Sequence, residues 1–337
     1  MNSGSAGRSV GKFPAGGEDR PLLFATRRKV LAFAGRAAGH LVLFLLAALS
    51  VLAVFVIFFF IIREALPFFQ DAGKAGAVSI LERLRGLFGS TRWYPEAQPA
   101  EYGALALLAG SLLVTICALA ISVPVGLLAA VCLGEIFPFR LRQAVKPVVE
   151  LLAAIPSVAY GFFAALVLAP WMQRHWGFST GANALNASLM LAVMAIPTIV
   201  SVSEDSLAAI GRDLREASLA LGATRAETIL KVVIPAAHHG IIAAIILGMM
   251  RAVGETMAVW MASGNAAQIP SPWWNLTQSI RTLTATIAGE MGETVKYSPH
   301  YHALFTLGLI LLLSTFILNL IAEVLLRRAR RAGGTPT

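Results

Sequence analysis

Apolar positions gather into six long runs, at about Leu41–Ile62, Leu105–Leu133, Val148–Pro170, Leu185–Val202, Ala236–Ala262 and Ala303–Leu326, with polar segments between them. Runs near this length match a hydrocarbon layer about 30 Å thick, crossed at about 1.5 Å per residue. Inside that layer backbone N–H and C=O groups find no water, so each run must satisfy its own hydrogen bonds as a helix. The expected fold is all-α: a polytopic membrane protein with six transmembrane helices. Pro124 should kink the second run or end its straight part. The fourth run carries Pro197, is short, and should continue past the membrane toward Ser206.

The polar segments divide the rest of the chain. Residues 1–39 are rich in Gly, Ser and Arg and read as a mostly disordered basic tail. Residues 40–102 hold the first span and a long loop. Within that loop, Ala77–Phe88 places Ile80, Leu81, Leu84, Leu87 and Phe88 on one helical face, suited to the outer leaflet or to the spans. Residues 103–326 hold the other five spans, and 327–337 form a basic tail. The loop Ser263–His302 is polar and opens with Trp273 and Trp274, which fit an interfacial anchor, with a bound-protein contact as the alternative.

One polar interruption has internal structure. Asp213–Pro235, DLREASLALGATRAETILKVVIP, reads as helix, glycine turn, helix and then a proline at the mouth of a span. Asp213 is placed to cap the first helix, with Glu216 three residues on. Gly222 can end that helix in a left-handed conformation. Thr224 and Glu227 form a Thr-x-x-Glu capping box for the next helix. Leu214, Ala217, Ser218 and Leu221 share a face with small residues at its middle. The segment is expected to be a compact, self-capped elbow suited to a groove on a soluble partner.

Composition and charge orient this picture. The chain is 57% hydrophobic and 13% charged, too apolar for an ordinary soluble domain. Its net charge of +9 lies beside the spans and does not point to nucleic acid. With both termini inside, 18 of the 27 basic residues fall on the inner side, eight on the outer side and one, Arg251, within a span. The positive-inside bias therefore puts both termini and the 213–235 elbow in the cytoplasm. The first apolar run begins near His40, late and too long for a cleaved signal segment. Cys117 and Cys132 are 15 residues apart on one run and cannot bridge.

Arg251, Glu255 and Thr256 are the candidate substrate-pathway residues. Arg251 lies about 15 residues beyond Pro235, past the membrane midplane. A mid-membrane charge costs about 2.5–3.5 kcal/mol on insertion scales, so this residue should face a cavity or a partner. A helical i,i+4 pair with Glu255 is one explanation. Arg ahead of Glu is the weaker orientation, however, and such a pair gains only tenths of a kcal/mol. The other explanation is an oxyanion path, because guanidinium binds such anions bidentately and stays charged. Glu255 would position Arg251 and keep the anion from binding too tightly, while Gly248 and Gly254 would let neighbouring helices approach. His238 and His239 read as interfacial, and His300 and His302 lack partners at metal-ligand spacing. Gly7–Lys12 departs from a phosphate loop in its spacing and in Phe13, and no zinc or nucleophile motif is found, so the chain is read as no enzyme and as binding no metal or cofactor itself.

The elbow resembles the "EAA" loop of permease subunits of ATP-binding-cassette importers: Glu216, Ala217, Gly222 and Pro235 stand at its spacing, with Ser218, Val232 and Ile234 as mild departures. RAVGETMAV (Arg251–Val259), VVELLAAIPSVAYGF (Val148–Phe162) and IPTIVSVSEDSLAAI (Ile196–Ile210) are similar to the permeases of phosphate importers, the first to the PstC branch more than to its sister PstA. The resemblance implies a type I importer permease of MetI-like architecture in a bacterial inner membrane. It implies coupling through Glu216, Ala217, Ser218, Gly222 and Pro235. It also implies a second, PstA-like permease, a dimer of PstB-like subunits carrying ATP and Mg, and a PstS-like periplasmic phosphate-binding protein. Arg251 suits any oxyanion, so sulfate and molybdate stay open on chemistry alone. A secondary transporter without an ATPase is the alternative, and it would carry inverted repeats that this sequence does not show.

Overall fold

The computed structural model describes residues 21–70 and 80–332; the Gly7–Lys12 segment, residues 77–79 and the last five residues lie outside them. Helix α1 (Pro21–Gln70) includes residues 21–39, so that part of the expected tail is helical, as are residues 327–332 of the C-terminal one. Then come α2 (Ile80–Gly89), a short antiparallel pair β1 (Trp93–Tyr94) and β2 (Glu101–Tyr102), and α3 (Leu105–Val131), which a π-helical turn extends through Cys132–Ile136. α4 (Phe139–Ala154) is followed by α5 (Ser157–Phe163), which runs through a second π turn into α6 (Ala169–Trp176). α7 (Ala184–Ala208), α8 (Arg212–Ala220) and α9 (Arg225–Thr228) follow, and a third π turn leads into α10 (Ile234–Ala236). The chain closes with α11 (His238–Val253), α12 (Met257–Ala262), α13 (Leu283–Glu290) and α14 (Pro299–Ala332).

Among the described residues, four helices are long and apolar enough to cross a membrane unbroken: Gly39–Phe69, Leu105–Ile136, Ala184–Ala208 and Pro299–Val324. Two bent pairs bring the number to six, α4 with α5–α6 at 89° and Arg225–Ala236 with α11 at 70°. The third and fifth runs are thus not single rods. The third breaks at Ile155, which is extended ahead of Pro156 (φ −65°, ψ 128°), the conformation a following proline enforces. Pro124 does not end its helix, which continues to Val131. The fourth run extends past Ser206 as expected, to Ala208.

Compact packing divides the chain at Phe60 into two units. In the first, the described apolar side chains from Leu41 to Phe60 are exposed except for half-buried Phe58, most of the large ones by more than half, as a lipid-facing surface requires. In the second, α7 is the most buried span. Its Ala187, Leu191, Ala192 and Met194 meet α3, α5 and α12 in the main apolar cluster. Ile199 is fully buried where three helices converge. A methyl group on Gly126 of α3 would come within 2.8 Å of its side chain, and one on Gly248 of α11 within 2.7 Å. Gly248 is therefore a close-approach glycine, as its sequence context implies. Gly254 has only the Met250 carbonyl of its own helix nearby and plays no such part. α2 turns Leu87 inward against Phe68, Trp93 and Leu107, while Leu81 and Phe88 stay exposed.

Candidate functional site: a capped elbow and an unpaired arginine

The elbow between α7 and α11 forms as its residues dictate. α8 ends in a Schellman motif: Gly222 N–H donates to Leu219 O (3.0 Å) and Ala223 N–H to Ser218 O (3.3 Å), with Gly222 at φ +87°. Thr224 then caps α9 with a complete capping box. The Glu227 carboxylate accepts from Thr224 N–H (3.1 Å), and Thr224 Oγ1 accepts from Glu227 N–H (3.3 Å). The first cap differs from expectation. Gly211 holds the N-cap position without a side-chain bond, and Asp213 sits inside the first turn, where its charge suits the helix dipole.

Across the turn the two short helices are joined by buried hydroxyls, Ser218 Oγ and Thr228 Oγ1, 2.9 Å apart. Of the expected docking face, Ser218 is therefore packed inward. Glu216, Ala217, Gly222 and Pro235 are exposed. So are Leu214, Leu219 and Leu230, and Leu221 is 90% exposed, an unusual placement for leucines on a polar segment. Val233 and Ala237 turn back into a cluster with Leu207 and Ala130. Pro235 sits at the 70° bend, and its carbonyl lies 2.6 Å from His238 Nδ1.

The i,i+4 helical pair, one of the two explanations offered for Arg251, is not formed. α11 ends at Val253, Glu255 and Thr256 lie in the break before α12, and the two charged side chains are not bonded. Glu255 Oε1 instead accepts from Thr256 N–H (3.1 Å) and Ala258 N–H (3.3 Å), satisfying the open donors of α12. Its backbone carbonyl accepts from Thr284 Oγ1 (2.9 Å). Arg251 stands in the last turn of α11, half-buried, and its shielded Nε has no partner among the described residues.

Three charged assemblies were not found by sequence reasoning. Glu204 of α7, fully buried, pairs with Arg142 and with Lys146 Nζ (2.6 Å), both on α4. Arg215 of α8 pairs with Glu135 in the π turn after α3 (2.5 Å). Glu290 accepts from Arg281 Nη1 (2.6 Å) and Trp93 Nε1 (2.9 Å) and meets His300 Nε2 at 2.9 Å, so His300 has a carboxylate partner after all. Glu290 lies in a cavity of about 1210 Å³ that Trp93, Glu96, Trp260 and Glu293 also line. The one local signal was that Glu135 and Glu204 stand at span ends, where an unpaired charge would be costly; Glu290, in the loop before the last span, carried none. No group of three or more metal-ligating side chains occurs among the described residues.

Broken and unbroken apolar spans packed around α7, with a self-capped elbow projecting between two of them, are the architecture of a transporter permease. Residues 122–331 match the binding-protein-dependent transport system inner membrane component family, and the chain belongs to it. It is similar to the probable ABC transporter permease protein YqgH of Bacillus subtilis, at 40% identity over 72% of this chain and 77% of that protein. It is also similar to the phosphate transport system permease protein PstC of Pasteurella multocida, at 34% identity over 72% and 81%. A bacterial alginate ABC transporter structure shares the fold, with a TM-score of 0.58 at 14% identity over 94% of this chain and all of that one. The chain is thus a PstC-like ABC permease, a multi-pass and non-catalytic membrane subunit.

Proposed function

We propose that this chain is one of two permeases of an ATP-driven phosphate importer, with residues 103–326 as its transport core. An external phosphate-binding protein delivers the anion to the outer loops, and a second, PstA-like permease completes the path. A dimer of ATP-binding subunits, which carry ATP and Mg, works on the elbow at Glu216–Gly222. The basic-residue bias puts the elbow and both termini in the cytoplasm. Arg251 meets the anion, and Glu255 and Thr256 shape the helix break beside it. The observation that carries the reading is the Arg251 guanidinium, half-buried in a span and paired with no carboxylate among the described residues. An unmatched buried cation is costly unless an anion visits it. The names of the PstC relatives supply phosphate as the cargo.

The test is uptake of labelled phosphate by cells carrying the Arg251→Gln chain, with labelled sulfate as control and the tagged chain purified in parallel. Phosphate uptake should fall about tenfold or more, the loss of a charge-assisted contact of about 1.5–3 kcal/mol, while the ATPase still co-purifies. Unchanged phosphate uptake overturns the role of Arg251. Sulfate transport in place of phosphate overturns the cargo, and a wild-type chain that recovers no ATPase overturns the importer.

A further inference from the structure

Arg215 sits beside Glu216 in α8, yet it faces away from the exposed surface of the elbow. Its side chain is 22% exposed and that of Glu135 is 10% exposed. All five of its N–H donors are used. Nε and Nη2 grip the two oxygens of Glu135 (3.3 and 2.5 Å), Nη2 also donates to Leu207 O (2.8 Å), and Nη1 donates to Gly211 O (3.2 Å) and to Ile210 O. The carbonyls belong to the C-terminal turn of α7 and the link after it, where helix geometry leaves C=O groups open and favours a cation. Glu135 belongs to the π turn that ends α3. One guanidinium thus joins the elbow helix to the inner ends of two spans. The planar fork holds their relative angle as well as their distance.

We propose that Arg215 is a positioning residue that makes displacement of the elbow move α3 and α7 together. The inference rests on reading the elbow as the ATPase contact. Apart from this clasp α8 is joined to α7 through the short link at Ala209–Gly211 and, by way of Thr228, through the apolar contact of Val233 with Leu207 and Ala130; neither fixes the angle of α8, and a push at Leu221 would rotate α8 about that link. With the clasp, the push reaches α3, which no neighbouring backbone connects to the elbow; Glu135 is 80 residues away in sequence.

The test uses the complete transporter, purified and reconstituted in vesicles with its ATPase and binding protein, and reads phosphate uptake and ATP hydrolysis separately. Arg215→Met keeps the length of the side chain and removes every bond; Glu135→Gln keeps the volume and removes the charge. The expected result is full assembly and retained hydrolysis, with uptake per ATP lowered about tenfold in Arg215→Met, as losing charged hydrogen bonds implies, and less in Glu135→Gln. Arg215→Lys, which keeps the charge but not the fork, should recover part of it. A wild-type uptake-to-hydrolysis ratio in Arg215→Met overturns the proposal, as does a loss of both activities in proportion to assembled complex in both variants. Wild-type vesicles that take up phosphate without hydrolysing ATP would overturn the underlying reading itself.

Discussion

The hydroxyls of Ser218 and Thr228 meet at 2.9 Å inside the elbow, and each is the polar partner the other is given across the Gly222 turn. Both residues are buried, so removing one strands the other. Thr228→Val should cost about 1–3 kcal/mol and Ser218→Ala a similar amount. The double variant should cost less than the sum, because no donor is then left unpaired. Denaturation midpoints of the purified chain and its three variants close this cycle; strict additivity would show that the hydroxyls do not interact.

Gly222 separates backbone from bulk. Its φ of +87° is unfavourable for L-residues, yet nothing lies within 4 Å of where a side chain would begin. In the isolated chain Gly222→Asn should therefore be nearly neutral, while Gly222→Val loses about 1–2 kcal/mol through backbone strain alone. Thermal midpoints compare the two; equal losses would mean that the position senses volume.

Glu204 and its cations should respond asymmetrically. The carboxylate side chain is 1% exposed, whereas Arg142 and Lys146 are 34% and 32% exposed and can recover some hydration. Taking both cations away, as Arg142→Met with Lys146→Met, strands a buried charge and should cost about 3–5 kcal/mol. Glu204→Gln should cost less. Stability in detergent, followed by resistance to heat aggregation, ranks the variants, and the reverse order would show that Glu204 is not held as an ion.

Gly248→Ala should push the Ile199 side chain out of its place between α3, α7 and α11. Overpacking of this kind costs about 1–3 kcal/mol. Ile199→Val removes the terminal Cδ1 carbon, one of the two atoms in the way, and should restore part of the loss. A double variant no better than Gly248→Ala would show that the glycine serves something other than this contact.

The elbow was legible because its signals are local: a glycine where the backbone turns left-handed, and Thr224 three residues before Glu227. The spans were legible as apolar runs, but their breaks were not. Ile155–Pro156 did carry a signal, since a residue ahead of proline avoids the helical region. The break after Val253 carried almost none. Gly254 is its single local mark, and the unwound stretch is held by Thr284, 29 residues farther along the chain. A helical reading of Arg251 and Glu255 as neighbours fails for that reason. The Arg215 and Glu204 clasps join positions 80 and 62 residues apart, and periodicity holds no information at that range.

Glu290 gathers an indole, a guanidinium and an imidazole from three separate stretches onto one carboxylate. Segments fastened to a common keystone lose their independence: the hairpin bearing Trp93, the crossing near Arg281 and the start of α14 are constrained to shift as a single plate.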